Sequence, residues 1–174
     1  MLNIICIVNG ELEENCYIIH NEKEALIIDP GSEEDKIFNV IDDLKLNVVG
    51  ILVTHYHFDH VLCLDKVQNK YKVKVVDYKN RINKIKSFSF EVIENYGHTM
   101  DSVSFYFKKE KIMFTGDFIF NSSIGKYDLE NEDIMYKSLK SFCKLEDDII
   151  IFPGHGPSTT VGFEKENNYF LRGI

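Results

Sequence analysis

The sequence predicts an α/β fold with β-sheet inside and helices outside. Two observations carry this. Apolar, β-rich runs alternate with segments of helical periodicity in both halves of the chain. Such runs also end directly before a histidine or aspartate: Val48–Val53 before His55, Phe88–Glu94 before His98, Lys111–Phe114 before Asp117 and Ile149–Phe152 before His155. Loops at strand ends are where a rigid scaffold displays functional groups.

Taken in order, Ile4–Val8 reads as a strand closed by the turn signal Asn9-Gly10. Asn15–His20 and Ala25–Asp29 are two more strands around the polar turn Asn21-Glu22-Lys23-Glu24, and Asp29-Pro30-Gly31 breaks the third. Ser32, with Asp35 three residues on, fits a helix N-cap. Ile37, Val40, Ile41 and Leu44 follow at helical spacing. Val48–Val53 is a buried strand, and Val61, Leu64, Val67 and Tyr71 suggest a helix after His60. Val73–Val76 is a short strand, Tyr78–Lys86 an irregular basic stretch, and Phe88–Glu94 a half-buried strand. Val103–Phe107 and Lys111–Phe114 form a hairpin closing at Lys109-Glu110. Ile134, Leu139, Phe142 and Leu145 mark a helix, Ile149–Phe152 a last strand, and Phe163–Leu171 a closing helix.

No repeat, low-complexity tract or linker divides residues 1–174, which are expected to form one domain, long enough to bury a core. The net charge of −8 argues against a nucleic-acid partner, because phosphates need a Lys/Arg surface. No apolar run approaches the ~20 residues of a membrane span, and the first ten residues have no basic leader segment. A cytoplasmic location is the expectation. Cys6, Cys16, Cys63 and Cys143 are scattered, without a C-x-x-C pair, and read as free thiols.

The most informative stretch is Thr54-His55-Tyr56-His57-Phe58-Asp59-His60. His98 and His155 lie in further glycine-flanked loops, so five histidines and two aspartates (Asp59 and Asp117) stand at strand exits. Imidazole and carboxylate together suit Zn²⁺, Fe²⁺ or Mn²⁺. Along an extended segment His55, His57 and Asp59 point one way and His60 the other, so one metal does not easily take all four. Two adjacent metals do. Such a pair generates a water-derived nucleophile at neutral pH, a metal-bridging hydroxide, and polarises a substrate oxygen.

His55-x-His57-x-Asp59-His60, Gly97-His98-Thr99, Thr115-Gly116-Asp117 and Gly154-His155-Gly156 resemble the motifs of the metallo-β-lactamase superfamily, in the order it uses. Asp29-Pro30-Gly31 is similar to its early aspartate motif. The resemblance implies an αββα sandwich, two mixed β-sheets packed face to face with helices outside and the site at one edge between the sheets. It implies two divalent metal ions, zinc first, with iron or manganese as alternatives. His55, His57 and His98 would hold one, Asp59, His60 and His155 the other, and Asp117 would bridge them. Asp29 would steady a ligand rather than bind metal.

The segment from Asp117 to Asp128 resembles the glyoxalase II-like branch, whose members hydrolyse thioesters of the hydroxyacylglutathione type. Asp59 and Asp117, with the bridging hydroxide, are then the catalytic groups, and Lys126 and Tyr127 are rim candidates for an anionic small-molecule substrate. Only 19 residues follow His155, so the C-terminal helical glutathione-binding domain of that branch is not expected. Cys63 reads as a buried core cysteine. The alternatives are a persulfide dioxygenase-like oxidoreductase with one iron on His55, His98 and Asp117, and a hydrolase of small phosphodiesters or lactones.

Overall fold

The computed structural model describes residues 2–174. Its first half pairs five strands in the order β1-β2-β3-β4-β5. These are β1 (Asn3–Asn9), β2 (Glu14–His20), β3 (Glu24–Ile28), β4 (Asn47–Leu52) and β5 (Val75–Val76). The first three strands meander antiparallel, and β3, β4 and β5 run parallel. The second half supplies β8 (Glu91–Glu94), β9 (Val103–Phe107), β10 (Ile112–Gly116), β13 (Ile150–Pro153) and β14 (Thr159–Thr160), ordered β14-β13-β10-β9-β8. Here β10 and β13 are parallel and the other pairs antiparallel, so both sheets are mixed. The remaining strands form small hairpins: β6 (Lys84–Ile85) with β7 (Phe88–Ser89), and β11 (Ile119–Phe120) with β12 (Ser123–Ile124).

Strand alternation builds three apolar layers. Tyr17, Ile19, Leu26, Ile28 and Leu52 face Val103, Phe105, Phe107, Ile112 and Phe114 between the sheets. The opposite faces of β2, β3 and β4 (Cys16, Ile18, Ile27, Ile51) are covered by Ile37 and Ile41 of α1 (Glu34–Asp43) and Val67 of α3 (Leu64–Tyr71). Tyr106, Met113 and Ile151 on the other outer face meet Met135, Leu139 and Phe142 of α4 (Glu132–Phe142) and Val161 of α5 (Val161–Asn167). The expected αββα sandwich of two mixed sheets is what the chain forms. No helix among the described residues is long and apolar enough to cross a membrane.

Four local expectations are corrected. Ser32 does not cap α1. Glu33 holds the N-cap position in a left-handed conformation, with its carboxylate turned to the Gly10 N–H at 3.0 Å and to Lys36. The helix after His60 begins earlier, as α2 (Phe58–Val61), and breaks at Cys63, whose N–H is taken by the Pro30 and Gly31 carbonyls. Phe88–Glu94 is not one strand. Phe88 and Phe90 both bury in the inter-sheet core, so the chain leaves the β6–β7 hairpin, itself inside the stretch read as irregular, to pair with β9. Finally, α5 stops at Asn167. Asn168 is extended, its amide donating to Glu164 and to the Ser123 carbonyl, and a 3₁₀ turn, Tyr169–Leu171, follows.

Candidate metal centre

The site residues sit where strands end at one edge of the sandwich. β4 delivers Thr54 and His55, β10 delivers Asp117, β13 delivers His155, and the loop between β8 and β9 carries His98. The edge is pinned across the sheets, since Val103 N–H donates to Thr54 O at 2.8 Å. Asp29 closes β3 beside it.

Donor atoms of His55, His57, His98 and Asp117 all lie within 4.8 Å of one another, and so do those of Asp59, His60 and His155. Asp117 connects the two groups. Its Oδ2 is 3.6 Å from His98 Nε2 and 4.0 Å from His55 Nε2, while its Oδ1 is 3.2 Å from His60 Nε2 and 3.6 Å from His155 Nε2. Asp59 Oδ2 is 3.3 Å from His155 Nε2. The extended-chain reading, which grouped Asp59 with His55 and His57, is thus corrected. His57 is the N-cap of α2, so Asp59 and His60 are helical and turn together to the other side.

Contacts behind the rings set which nitrogen faces inward. His98 Nδ1–H donates to the Lys126 carbonyl at 2.5 Å and His155 Nδ1–H to that of Leu12 at 2.9 Å. His60 Nδ1–H donates to Asp29 Oδ2 at 3.0 Å. His55 Nδ1 is 3.1 Å from Thr54 Oγ1, whose own hydroxyl donates to Asp29 Oδ2 at 2.6 Å. Asp29 also accepts from the Thr54 N–H at 2.7 Å. In these tautomers the inward Nε2 atoms are bare acceptors. Those of His55 and His60, with Asp117 Oδ1, are buried and have no hydrogen-bond partner. Buried polar atoms are ordinarily satisfied, and these face inward from the two donor groups, His55 in one and His60 in the other with Asp117 between them, as atoms that hold cations do. His98 Nε2 lies 2.9 Å from His57 Nδ1, a donor atom of the same group. The donors are nitrogen and oxygen, which suits borderline divalent metals.

The electrostatics agree. Burial, and then His60, push His55 down to about 2. Burial also works against a charge on His60, but Asp117 and Asp29 outweigh it and raise that ring to about 11, so that without a cation a second proton on Nε2 would supply the charge that a bound cation otherwise brings. Asp117 is driven down despite its burial by His60, His55 and His155. The carboxylates therefore call for positive charge at this spot, which bound cations would supply.

Glu14 was missed by the sequence reading. It begins β2, is 1% exposed, and sets Oε1 3.8 Å from His60 Nδ1 without a hydrogen-bond partner. Burial first, then Asp29 and Asp59, raise its carboxyl to about 9. Thr54, which links Asp29 to His55, was not singled out either. Lys126 touches the site through its carbonyl, and its exposed side chain makes no contact with the donors; Tyr127 is half-buried against the α4 layer. Cys63 is buried and donates to Glu34 at 3.0 Å, and all four cysteines are free.

The model of the metallo-β-lactamase superfamily matches residues 9–86 and 81–155, and the chain belongs to that superfamily of metal-binding hydrolases. More particularly, it is 31% identical over 98% of its length to "Hydroxyacylglutathione hydrolase GloC" of Haemophilus influenzae, 98% of which is covered. Among solved structures it is similar to BLEG-1 B3 metallo-β-lactamase (TM-score 0.89, 30% identity, 98% of this chain and 100% of that one). It is also similar to TTHA1623 in a di-iron-bound form (0.85, 29%, 96% and 100%) and to ETHE1 from Myxococcus xanthus (0.87, 25%, 96% and 83%).

Proposed function

We propose that the chain is a dinuclear metal hydrolase acting on thioesters of the hydroxyacylglutathione type or similar small activated acyl compounds. His55, His57 and His98 would hold one cation, Asp59, His60 and His155 the second, with Asp117 shared. The observation that carries the reading is the convergence of seven donor groups on two adjacent points, with the buried Nε2 atoms of His55 and His60 and Oδ1 of Asp117 unpartnered. The likeness to the di-iron TTHA1623 supports two metals, and that to GloC supports the substrate class. Zinc is the first expectation and iron the second.

Divalent cations held by these residues would supply an acidified water and a polarised carbonyl. The residues do the rest. Asp29 fixes His60 directly and His55 through Thr54. Asp59 and Asp117 would face the attacking water and orient it, and Asp59 would take its proton. The water oxygen bonds to the acyl carbon, the C–S bond breaks, and the electron pair leaves on sulfur. A thiol of pKa about 8.5 departs as thiolate, so no acid is needed on the leaving side. No lysine, arginine or tyrosine side chain among the described residues contacts the donor groups. Lys126, exposed beside His98, is a candidate to meet an anionic thiol arm.

The test is hydrolysis of a thioester panel, with S-lactoylglutathione included, by protein of measured metal content. His57→Ala and Asp117→Ala are expected to abolish turnover; unchanged turnover contradicts the proposal. The likeness to ETHE1 supports a second reading, one iron on His55, His98 and Asp117 in an oxidoreductase. One metal per chain, with oxygen uptake on a persulfide, would establish it instead.

A further inference from the structure

One hollow adjoins the site and shares only Asp59 with its donor set. It encloses about 340 Å³ between the β1–β2 turn and α2. Leu12, Phe58 and Leu62 wall it, and Asn9 and Asp59 are part of its lining. All three apolar side chains are more than half exposed. Single exposed apolar residues are ordinary. Three from two separate segments, converging on a recess that touches Asp59, mark a place that an apolar group covers.

The lining narrows the chemistry. Its charged members are Glu11 and Asp59, and no cationic side chain joins them. A carboxylate or phosphate arm is repelled there, and a neutral aliphatic arm is not. The exposed Lys126 is not among its lining, and its carbonyl holds His98, which belongs to the other donor group from Asp59. The two thus suit different halves of a thioester: an anionic thiol arm toward Lys126, an apolar acyl arm toward Leu12 and Leu62. At the roughly 30 Å³ that a small heavy-atom group occupies, the hollow takes about ten such groups at most.

We propose that this hollow receives the acyl chain of the substrate, and that the preferred thioesters carry unbranched aliphatic acyl groups of roughly four to eight carbons. The proposal rests on the thioester hydrolase reading above. After C–O bond formation and C–S cleavage, the product's carboxylate would stay at the cation site and only its neutral tail would lie between Leu12 and Leu62.

The experiment is calorimetric titration of the zinc-loaded protein with acetate, butyrate and hexanoate, alongside kcat/KM for two thioester series, one lengthened in the acyl arm and one in the thiol arm. A half-buried methylene gives about a twofold gain, so hexanoate is expected to bind about fifteenfold more tightly than acetate. The acyl series should climb in the same way and the thiol series stay flat. Leu62→Asp is expected to flatten the carboxylate series. Leu12→Ser, on the facing wall, should reduce the slope if Leu62→Asp does not fold. Equal affinity for all three carboxylates, a slope untouched by the variants, or a slope in the thiol series instead would overturn the proposal. A carboxylate slope without thioester turnover keeps the hollow and removes the hydrolase reading; turnover without a slope does the reverse.

Discussion

Asp29→Asn is the sharpest probe of how the protein prepares its ligands. Asp29 accepts hydrogen bonds from the Thr54 N–H, the Thr54 hydroxyl and His60 Nδ1–H at 2.7, 2.6 and 3.0 Å. Asparagine has the same shape but only one acceptor oxygen. If that oxygen keeps the Thr54 N–H, the amide NH₂ faces the other two partners, and two N–H donors meet at His60. The ring relieves this by moving its proton to Nε2, the atom that faces Asp117 at 3.2 Å. A protonated Nε2 cannot bind a cation. Losing a partner behind a metal ligand costs about 10–100-fold in affinity, or about 1.4–2.7 kcal/mol. The loss should be larger for the cation of His60, which Asp29 touches directly, than for that of His55, His57 and His98, which it reaches only through Thr54. Competition with a chromophoric chelator reads the two affinities, and nitrogen NMR of the imidazoles reads the tautomer. Equal weakening at both sites, or an unchanged His60 tautomer with unchanged affinity, would refute the reasoning.

The remaining predictions concern packing and protons. Gly154→Ala places a Cβ 2.2 Å from Asp117 Oδ1 and 2.6 Å from His60 Cε1. It should destabilise the fold by about 1–3 kcal/mol and lower metal content, measured by denaturant titration and metal analysis; native metal content would contradict it. Phe114→Ala removes a ring that stacks on Phe152 at 5.1 Å and meets Tyr17 edge-on at 5.1 Å, so the expected cost in the same titration is about 3–5 kcal/mol. Glu14, raised to about 9 from its ordinary 4.5, binds a proton in the native state that the unfolded chain has released. The stability it contributes is therefore full below about 4.5 and is lost as the pH climbs through about 9. Thermal melts of metal-free protein at pH 5, 7 and 9 should show Tm falling, and Glu14→Gln should flatten the fall. Parallel curves for the two proteins would sink this reading.

Much of this was legible in the sequence because strand exits and donor residues coincide. The apolar run Val48–Val53 ending in Thr54-His55 announces a buried strand that opens onto a site, and the structure places it so. What was not legible depends on partners distant in sequence. The turn that sends Asp59 and His60 to one side is set by a helix starting at Phe58, which the extended-chain rule cannot foresee. Glu14 looks like a surface acid in Glu11-Leu12-Glu13-Glu14. Only the packing of β2 under Gly31 and beside His60 makes it a buried one. Phe88–Glu94 alternates as one strand would, yet Phe90 N–H goes to Asn83 O and the pairing passes from one sheet to another. Lys126 was singled out for its charge, whereas the contact that orients His98 is made by its backbone.

Two cations, gathered by six donors around a shared Asp117, are proposed to run the chemistry. The direct measurement is stepwise addition of zinc to metal-free protein while thioester hydrolysis and bound metal are followed in the same sample. Activity is expected to reach its plateau only as the second equivalent binds, and Asp117→Ala is expected not to reach it. Full activity at one equivalent per chain, or two bound equivalents with no hydrolysis of any thioester, would contradict the proposal.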